Sequence, residues 1–147
     1  MTAMLLRRPA PISDRSLELC DLPVPEPGPG DLLVRGRVCA VCRTDLHVVE
    51  GDLPPQRSPL VPGHQIVGEV ESLGDGCSRF RRGDRVGIAW LRHTCGSCEH
   101  CGTGRENLCR SSTYTGYQAD GGYAEWTVVP ESFAYPIPDR FDDRQAA

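Results

Sequence analysis

A chain of 147 residues is long enough to bury a core of its own and reads as one domain, residues 1–147. Its formal net charge of −4, with every positive charge carried by arginine, argues against nucleic acid as a partner, because phosphate binding wants a basic face. No apolar run is long enough to span a membrane and Met1–Arg8 lacks the apolar core of a signal peptide, so the eight cysteines are expected to be metal-bound or free in a reducing cytoplasm.

The 16 glycines and 13 prolines punctuate the chain into short elements. Met4–Leu6 and Ser16–Leu22 read as strands around a polar turn. The segment Pro23–Gly30 is a surface loop, because its prolines remove the amide donors that a helix or central strand needs. Asp31–Cys39 alternates, with Val34, Gly36 and Val38 on one side and Leu33, Arg35 and Arg37 on the other, the pattern of a half-exposed strand. A short helix is predicted over Thr44–Glu50, stopped by Gly51 and the pair Pro54-Pro55. Further strands are predicted at Gln65–Leu73, Arg85–Ala89, Tyr123–Val129 and Ala134–Ile137, each bounded by Gly or Pro turns. Many short strands with few helical patterns predict a mainly β fold, a barrel or a sandwich.

Between the predicted strands Arg85–Ala89 and Tyr123–Val129 lies Cys95-Gly-Ser-Cys98-Glu-His-Cys101, followed after seven further residues by Cys109. Four thiolates at C-x2-C-x2-C-x7-C spacing suit a closed, tetrahedral structural zinc site, with a lobe expected over residues 92–114. Two disulfides, free thiols, or an iron–sulfur cluster are the alternatives that four cysteines leave open. His93 and His100 flank the loop and read as surface or supporting histidines rather than as a fifth ligand.

A second cluster is Cys42-Arg43-Thr44-Asp45-Leu46-His47 with Gly63-His64-Gln65 downstream. A cysteine and a distant histidine, each at a strand end, are able to share a metal, although a lone buried histidine is more often structural. Cys39 and Cys42 form a C-x-x-C pair, but one that follows a strand rather than opening a long helix in a βαβ unit, so a redox role is not expected. Cys20, Cys39 and Cys77 read as small core residues.

Taken in order, Cys-x-Thr-Asp-x-x-His, then Gly-His, then the four-cysteine loop, the chain resembles the zinc-dependent medium-chain alcohol dehydrogenases over Asp31–Asp139, and most of all bacterial members with a Trp-Leu pair before the loop, here Trp90-Leu91. The resemblance implies their catalytic domain, a partly open β-barrel like the co-chaperonin GroES, with short helices and the four-cysteine zinc loop. It implies two zinc ions: a structural one on Cys95, Cys98, Cys101 and Cys109, and a catalytic one with Cys42 and His64 as two of its ligands. It implies oxidation of a small alcohol to an aldehyde or ketone with hydride transfer to NAD or NADP. Thr44 and His47 would relay the alcohol proton, Arg43 and His47 would meet the cofactor, Asp45 would orient His64, and Trp90 would narrow the substrate pocket.

Two departures stand out. The family usually has Glu after the ligand histidine, and here Gln65 keeps the shape and hydrogen bonding without the charge. The family's nucleotide-binding Rossmann domain and third zinc ligand lie further along its chains, and no G-x-G-x-x-G turn is found in these residues. The chain alone is therefore expected to be inactive, with an incomplete catalytic site, and any homo-oligomer would form mainly through the domain not seen. The competing reading is a non-enzymatic zinc-stabilised barrel that serves as a binding or assembly module.

Overall fold

The long strand Asp31–Ala40 (β3) is the axis of the fold, described here from a computed structural model of residues 1–147. It pairs antiparallel with Gln65–Leu73 (β4) on one side and Trp126–Pro130 (β8) on the other. Arg85–Ile88 (β5) and Ala134–Pro136 (β9) extend the sheet to five strands in the order β8-β3-β4-β5-β9. The strands Thr2–Leu6 (β1) and Leu17–Asp21 (β2) form a separate hairpin, tied to the rest by bridges from Ala3 to Ala124 and from Leu6 to Leu60. A third, two-stranded sheet joins Leu91–His93 (β6) to Thr113–Tyr114 (β7), and the cysteine loop hangs between them. The chain is mainly β, a partly open barrel with short helices at Arg43–Glu50 (α1), Glu99–Gly102 (α2) and Asp143–Ala146 (α3).

The core lies on one side of the five-stranded sheet: Leu32, Val34, Ile66, Val70, Val86, Ile88 and Val129 are buried together with Phe80 and Ala134. Each such side chain contributes about 1.5–3 kcal/mol by leaving water. The simple alternation expected of β3 is interrupted. Bulges fall between Leu33 and Val34 and between Gly36 and Val38, so Leu32, Leu33 and Val34 are all buried while Arg35 and Arg37 stay exposed. A bulge adds a residue without a partner and resets which face follows. Gly68 opposite this stretch has no room for a side chain, since a Cβ there would lie 2.4 Å from the Arg35 carbonyl oxygen.

Three boundaries differ from the sequence expectation for identifiable reasons. β8 begins at Trp126 and not at Tyr123, because residues 123–125 pair with β1 instead: the Met4 amide donates to the Tyr123 carbonyl at 2.7 Å and the Glu125 amide to that of Thr2 at 3.1 Å. β5 ends at Ile88, so Ala89 and Trp90 leave the sheet toward the site. α3 was not anticipated, although Asp142 and Gln145 form a reciprocal capping box, a pattern readable in sequence. Asp143 then reaches Arg85 and Arg37 at 3.6 and 3.7 Å and seats this last turn on the sheet.

Candidate metal and substrate site

Helix α1 begins where β3 ends. Cys42 takes the N-cap position, with its Sγ accepting from the Thr44 amide at 3.3 Å. Asp45 completes a capping box by accepting from the Cys42 amide at 2.9 Å. Thr44 itself does not cap the helix; it stands half-buried in the first turn. The cap thus fixes a thiol and a carboxylate at one helix end.

His64 arrives from another direction, from the turn before β4. Gly63 holds a left-handed φ of 95°, and a Cβ there would meet the Tyr123 ring at 2.6 Å, so the backbone is tightly confined just before the histidine. His64 is buried, with Nδ1 at 3.0 Å from Asp45 Oδ1 and Nε2 at 3.2 Å from Cys42 Sγ. With Asp45 accepting at Nδ1, the proton belongs there and Nε2 presents its lone pair toward the thiol. Burial opposes charge on all three groups, yet their mutual contacts prevail. Hydrogen bonding to His64 holds Asp45 below the usual carboxylate range, hydrogen bonds from Thr44 and the nearby imidazole lower Cys42, and Asp45 raises His64.

Cys42, Asp45 and His64 form one of two groups whose ligand atoms lie within 4.8 Å of one another. Each Asp45 oxygen is turned to Cys42 or His64 by a hydrogen bond, so Cys42 Sγ and His64 Nε2 are the donors placed to face an ion. Zinc at about 2.3 Å from sulfur and about 2.0–2.1 Å from nitrogen would set such a pair roughly 3.5 Å apart, so the two residues fit a zinc ion as part of its ligand set.

The second group is Cys95, Cys98, Cys101 and Cys109. Their sulfurs lie 3.5 Å (Cys98–Cys101), 3.6 Å (Cys95–Cys109) and 4.0 Å (Cys95–Cys101) apart, and all eight cysteines are free. Four sulfurs at about 2.3 Å from one tetrahedral ion stand about 3.8 Å from each other, so the loop fits zinc and these distances exclude disulfides. The amides of Ser97 and Cys98 draw the Cys95 thiol down to about 6, while burial and the neighbouring Cys98 push Cys101 up to about 11. Cys95 ionises readily and Cys101 resists, so a cation is needed to hold both as thiolates side by side. His93 is exposed, and His100 has a buried Nδ1 with no partner; neither joins the sulfur cluster.

The other anticipated residues surround the first group. An open cleft of about 550 Å³ lies at His64, Gln65 and Trp90 and is lined further by Tyr135, Ile137 and the Ala146–Ala147 end of α3. Gln65 is exposed on the cleft wall beside His64 and makes no side-chain hydrogen bond. Trp90 stands edge-on to His64 at 4.9 Å and stacks on Tyr114 at 4.9 Å and on Tyr117 at 5.9 Å. His47 lies further along α1, with Nδ1 at 2.7 Å from Asp52. Arg43 is exposed on the first turn of α1. Cys39 faces inward against the main core, as does Cys77, and Cys20 lines a smaller cluster under β1; Cys39 makes no bond with Cys42. Tyr114, Tyr117, Tyr123 and Asp52 were not singled out from sequence. An aromatic run of Tyr114 and Tyr117 three apart was the one available hint.

Residues 28–139 match the alcohol dehydrogenase GroES-like domain, and the chain belongs to that family. The Mycobacterium tuberculosis protein named Probable alcohol dehydrogenase AdhA is 53% identical over 152 residues, covering 100% of this chain and 44% of its own length. A solved NAD-dependent alcohol dehydrogenase is similar at 36% identity with a TM-score of 0.89, covering 97% of this chain and 41% of that one. The cobalt- and zinc-bound thermostable alcohol dehydrogenase of Pyrobaculum aerophilum is similar at 34% identity and a TM-score of 0.86, over 93% of this chain and 41% of that one. The chain thus spans less than half the length of these relatives.

Proposed function

We propose that this chain is the catalytic domain of a zinc-dependent alcohol dehydrogenase, residues 1–147, which oxidises a small alcohol to its aldehyde or ketone with hydride transfer to NAD or NADP. The observation that carries the reading is the meeting of Cys42 Sγ and His64 Nε2 at 3.2 Å, backed by Asp45, at the mouth of a cleft walled by Trp90. Zinc bound there would act as a Lewis acid on the alcohol oxygen. Thr44 would take the hydroxyl proton and His47, steadied by Asp52 at 2.7 Å, would pass it to solvent. Trp90, stacked on Tyr114 and Tyr117, presents a bulky apolar ring to the cleft, which favours small alcohols over bulky or charged ones. Arg43, exposed at the start of α1 and without an ion pair, would meet the cofactor pyrophosphate. The four-cysteine loop would hold a second, structural zinc. Eight free thiols support a reducing cytoplasm, and no helix is long and apolar enough to cross a membrane.

The test is nicotinamide reduction by the purified protein carrying this chain, with short primary and secondary alcohols. Cys42→Ser and His64→Gln should each abolish turnover, and Thr44→Val should lower kcat by at least tenfold. Full turnover by Cys42→Ser would refute the reading.

A further inference from the structure

Beneath His64 the chain is packed backbone against backbone. The Gly121 amide donates to the Val61 carbonyl at 2.7 Å, the Gly122 amide to Gly63 at 3.0 Å, and the Tyr123 amide to Pro62 at 3.0 Å. No side chain fits between the layers: a Cβ on Gly121 would stand 1.9 Å from the Gly63 carbonyl oxygen, and one on Gly122 would stand 2.2 Å from Ile66 Cγ1. This close approach brings the Tyr123 side chain along Gly63 and under the site. Its hydroxyl oxygen is buried and is without a hydrogen-bond partner of good geometry, and the carboxylate it faces is that of Asp45. A buried hydroxyl is rarely left unpaired, and its proton rotates to suit an acceptor. Asp45 has the capacity: its two oxygens receive one bond each from Cys42 and His64, and an ionised carboxylate offers about four lone-pair positions.

We propose that Tyr123 is a positioning residue for this site, whose hydroxyl donates a third hydrogen bond to the Asp45 carboxylate and so holds His64 in the orientation that presents Nε2 beside Cys42 Sγ. The inference deepens the metal-site reading above, and it assigns a role to the hydroxyl rather than to the ring. Without that bond Asp45 keeps only donors that it also has to orient. With it, the carboxylate is fixed from a third direction by a side chain rooted in the glycine layers. Burial of the phenol, together with the neighbouring carboxylate, raises the Tyr123 pKa, so the hydroxyl keeps its proton to donate.

Tyr123→Phe isolates the hydroxyl, because it keeps the ring and its contact with Gly63. Nitrogen-15 NMR of His64 reads the outcome with no metal at the site, at alkaline pH where the imidazole is neutral and in a Cys42→Ser background that removes the competing thiolate beside Nε2. The parent protein should show one tautomer, protonated at Nδ1, and Tyr123→Phe should move both ring nitrogens toward the averaged values of mixed tautomers. Cadmium-113 NMR gives the second readout, since a four-sulfur site and a site with one sulfur and one nitrogen resonate apart. The variant should bind cadmium about tenfold more weakly at Cys42 and His64, the size expected for losing an outer hydrogen-bond partner, with the four-cysteine resonance unchanged as the control for folding. Unchanged His64 nitrogens in Tyr123→Phe would overturn the proposal. If the parent protein takes no cadmium at Cys42 and His64, the metal reading fails, and the imidazole tautomer still decides the role of Tyr123.

Discussion

Cys39 and Cys42 are three residues apart and chemically unlike. Burial pushes the Cys39 thiol up to about 11, whereas Cys42, though burial opposes it, is lowered by hydrogen bonds from Thr44 and by the His64 ring. Thiolate is the reactive form, so below about pH 9 Cys42 should react first. With zinc filling the loop, iodoacetamide should label Cys42 at least tenfold faster than Cys39, as read by mass spectrometry; equal rates would contradict the environments described here. Cys42, Asp45 and His64 were singled out in sequence through the order of motifs shared with the alcohol dehydrogenases; taken alone, a cysteine before a helix start and a histidine after the Pro62-Gly63 turn are a weaker signal. Asp52 and Tyr123 were not singled out, since their contacts cross Gly51 or span some sixty to eighty residues of chain, where spacing carries no information. Gly63 makes a separate residue-scale prediction. Its φ of 95° and a Cβ position 2.6 Å from Tyr123 Cδ1 and 2.9 Å from the Tyr123 amide nitrogen leave an added methyl nowhere to go. Gly63→Ala should cost about 2–4 kcal/mol, a left-handed penalty plus overpacking. Gly76→Ala, at φ 83° with nothing within 4 Å, should cost only about 1–2 kcal/mol. Urea denaturation of the two variants measures the difference.

At the scale of elements, β3, β4 and β5 were readable because apolar residues recur between firm Gly and Pro stops. β6 and β7 were not, because three and two residues are too few to show a period. They exist because the cysteine loop between them closes: its ends must lie side by side for Cys95 and Cys109 to meet at 3.6 Å. The loop carries few apolar side chains, and Leu108 is half exposed, so little besides metal would hold it. Cys98→Ser should therefore lose the ion and open the loop, and a strong chelator should do the same to the parent chain. The pH dependence has a definite sign. A thiol whose folded pKa lies below the ordinary value stabilises the fold above that value and loses the effect as pH falls. For Cys95 the window runs from 9.0 down to about 6. Acid should thus weaken metal binding and expose the loop, as limited proteolysis between Cys95 and Cys109 would show. Cleavage at equal rates with and without chelator would contradict the metal's role.

Across the whole molecule, the two ligand clusters share one framework but differ in completeness. The core strand β5 runs out of the sheet at Ile88 into Trp90, β6 follows directly, and β7 returns Tyr114 to stack on Trp90 at 4.9 Å. The cysteine loop is thus held at the end of a two-stranded arm whose base forms the cleft wall. Four sulfurs converge in that loop, whereas the group beside the cleft offers Cys42 Sγ and His64 Nε2, with each Asp45 oxygen turned to a hydrogen bond that orients one of them. Each thiolate or imidazole added to a zinc site raises its affinity, and structural sites use four protein ligands where open sites use three and a water. Zinc titrated into the metal-free chain should therefore fill the loop first, with one equivalent bound tightly, and the Cys42–His64 site should take metal only weakly. Because the arm carries Trp90, filling the loop should also change tryptophan fluorescence at the first equivalent, and Trp90→Phe should remove most of that change while leaving the stoichiometry alone. Elemental analysis after gel filtration gives the count. Two tightly held zinc ions per chain would mean that another group in these residues completes the cleft site, and the assignment of two free donors there would be wrong.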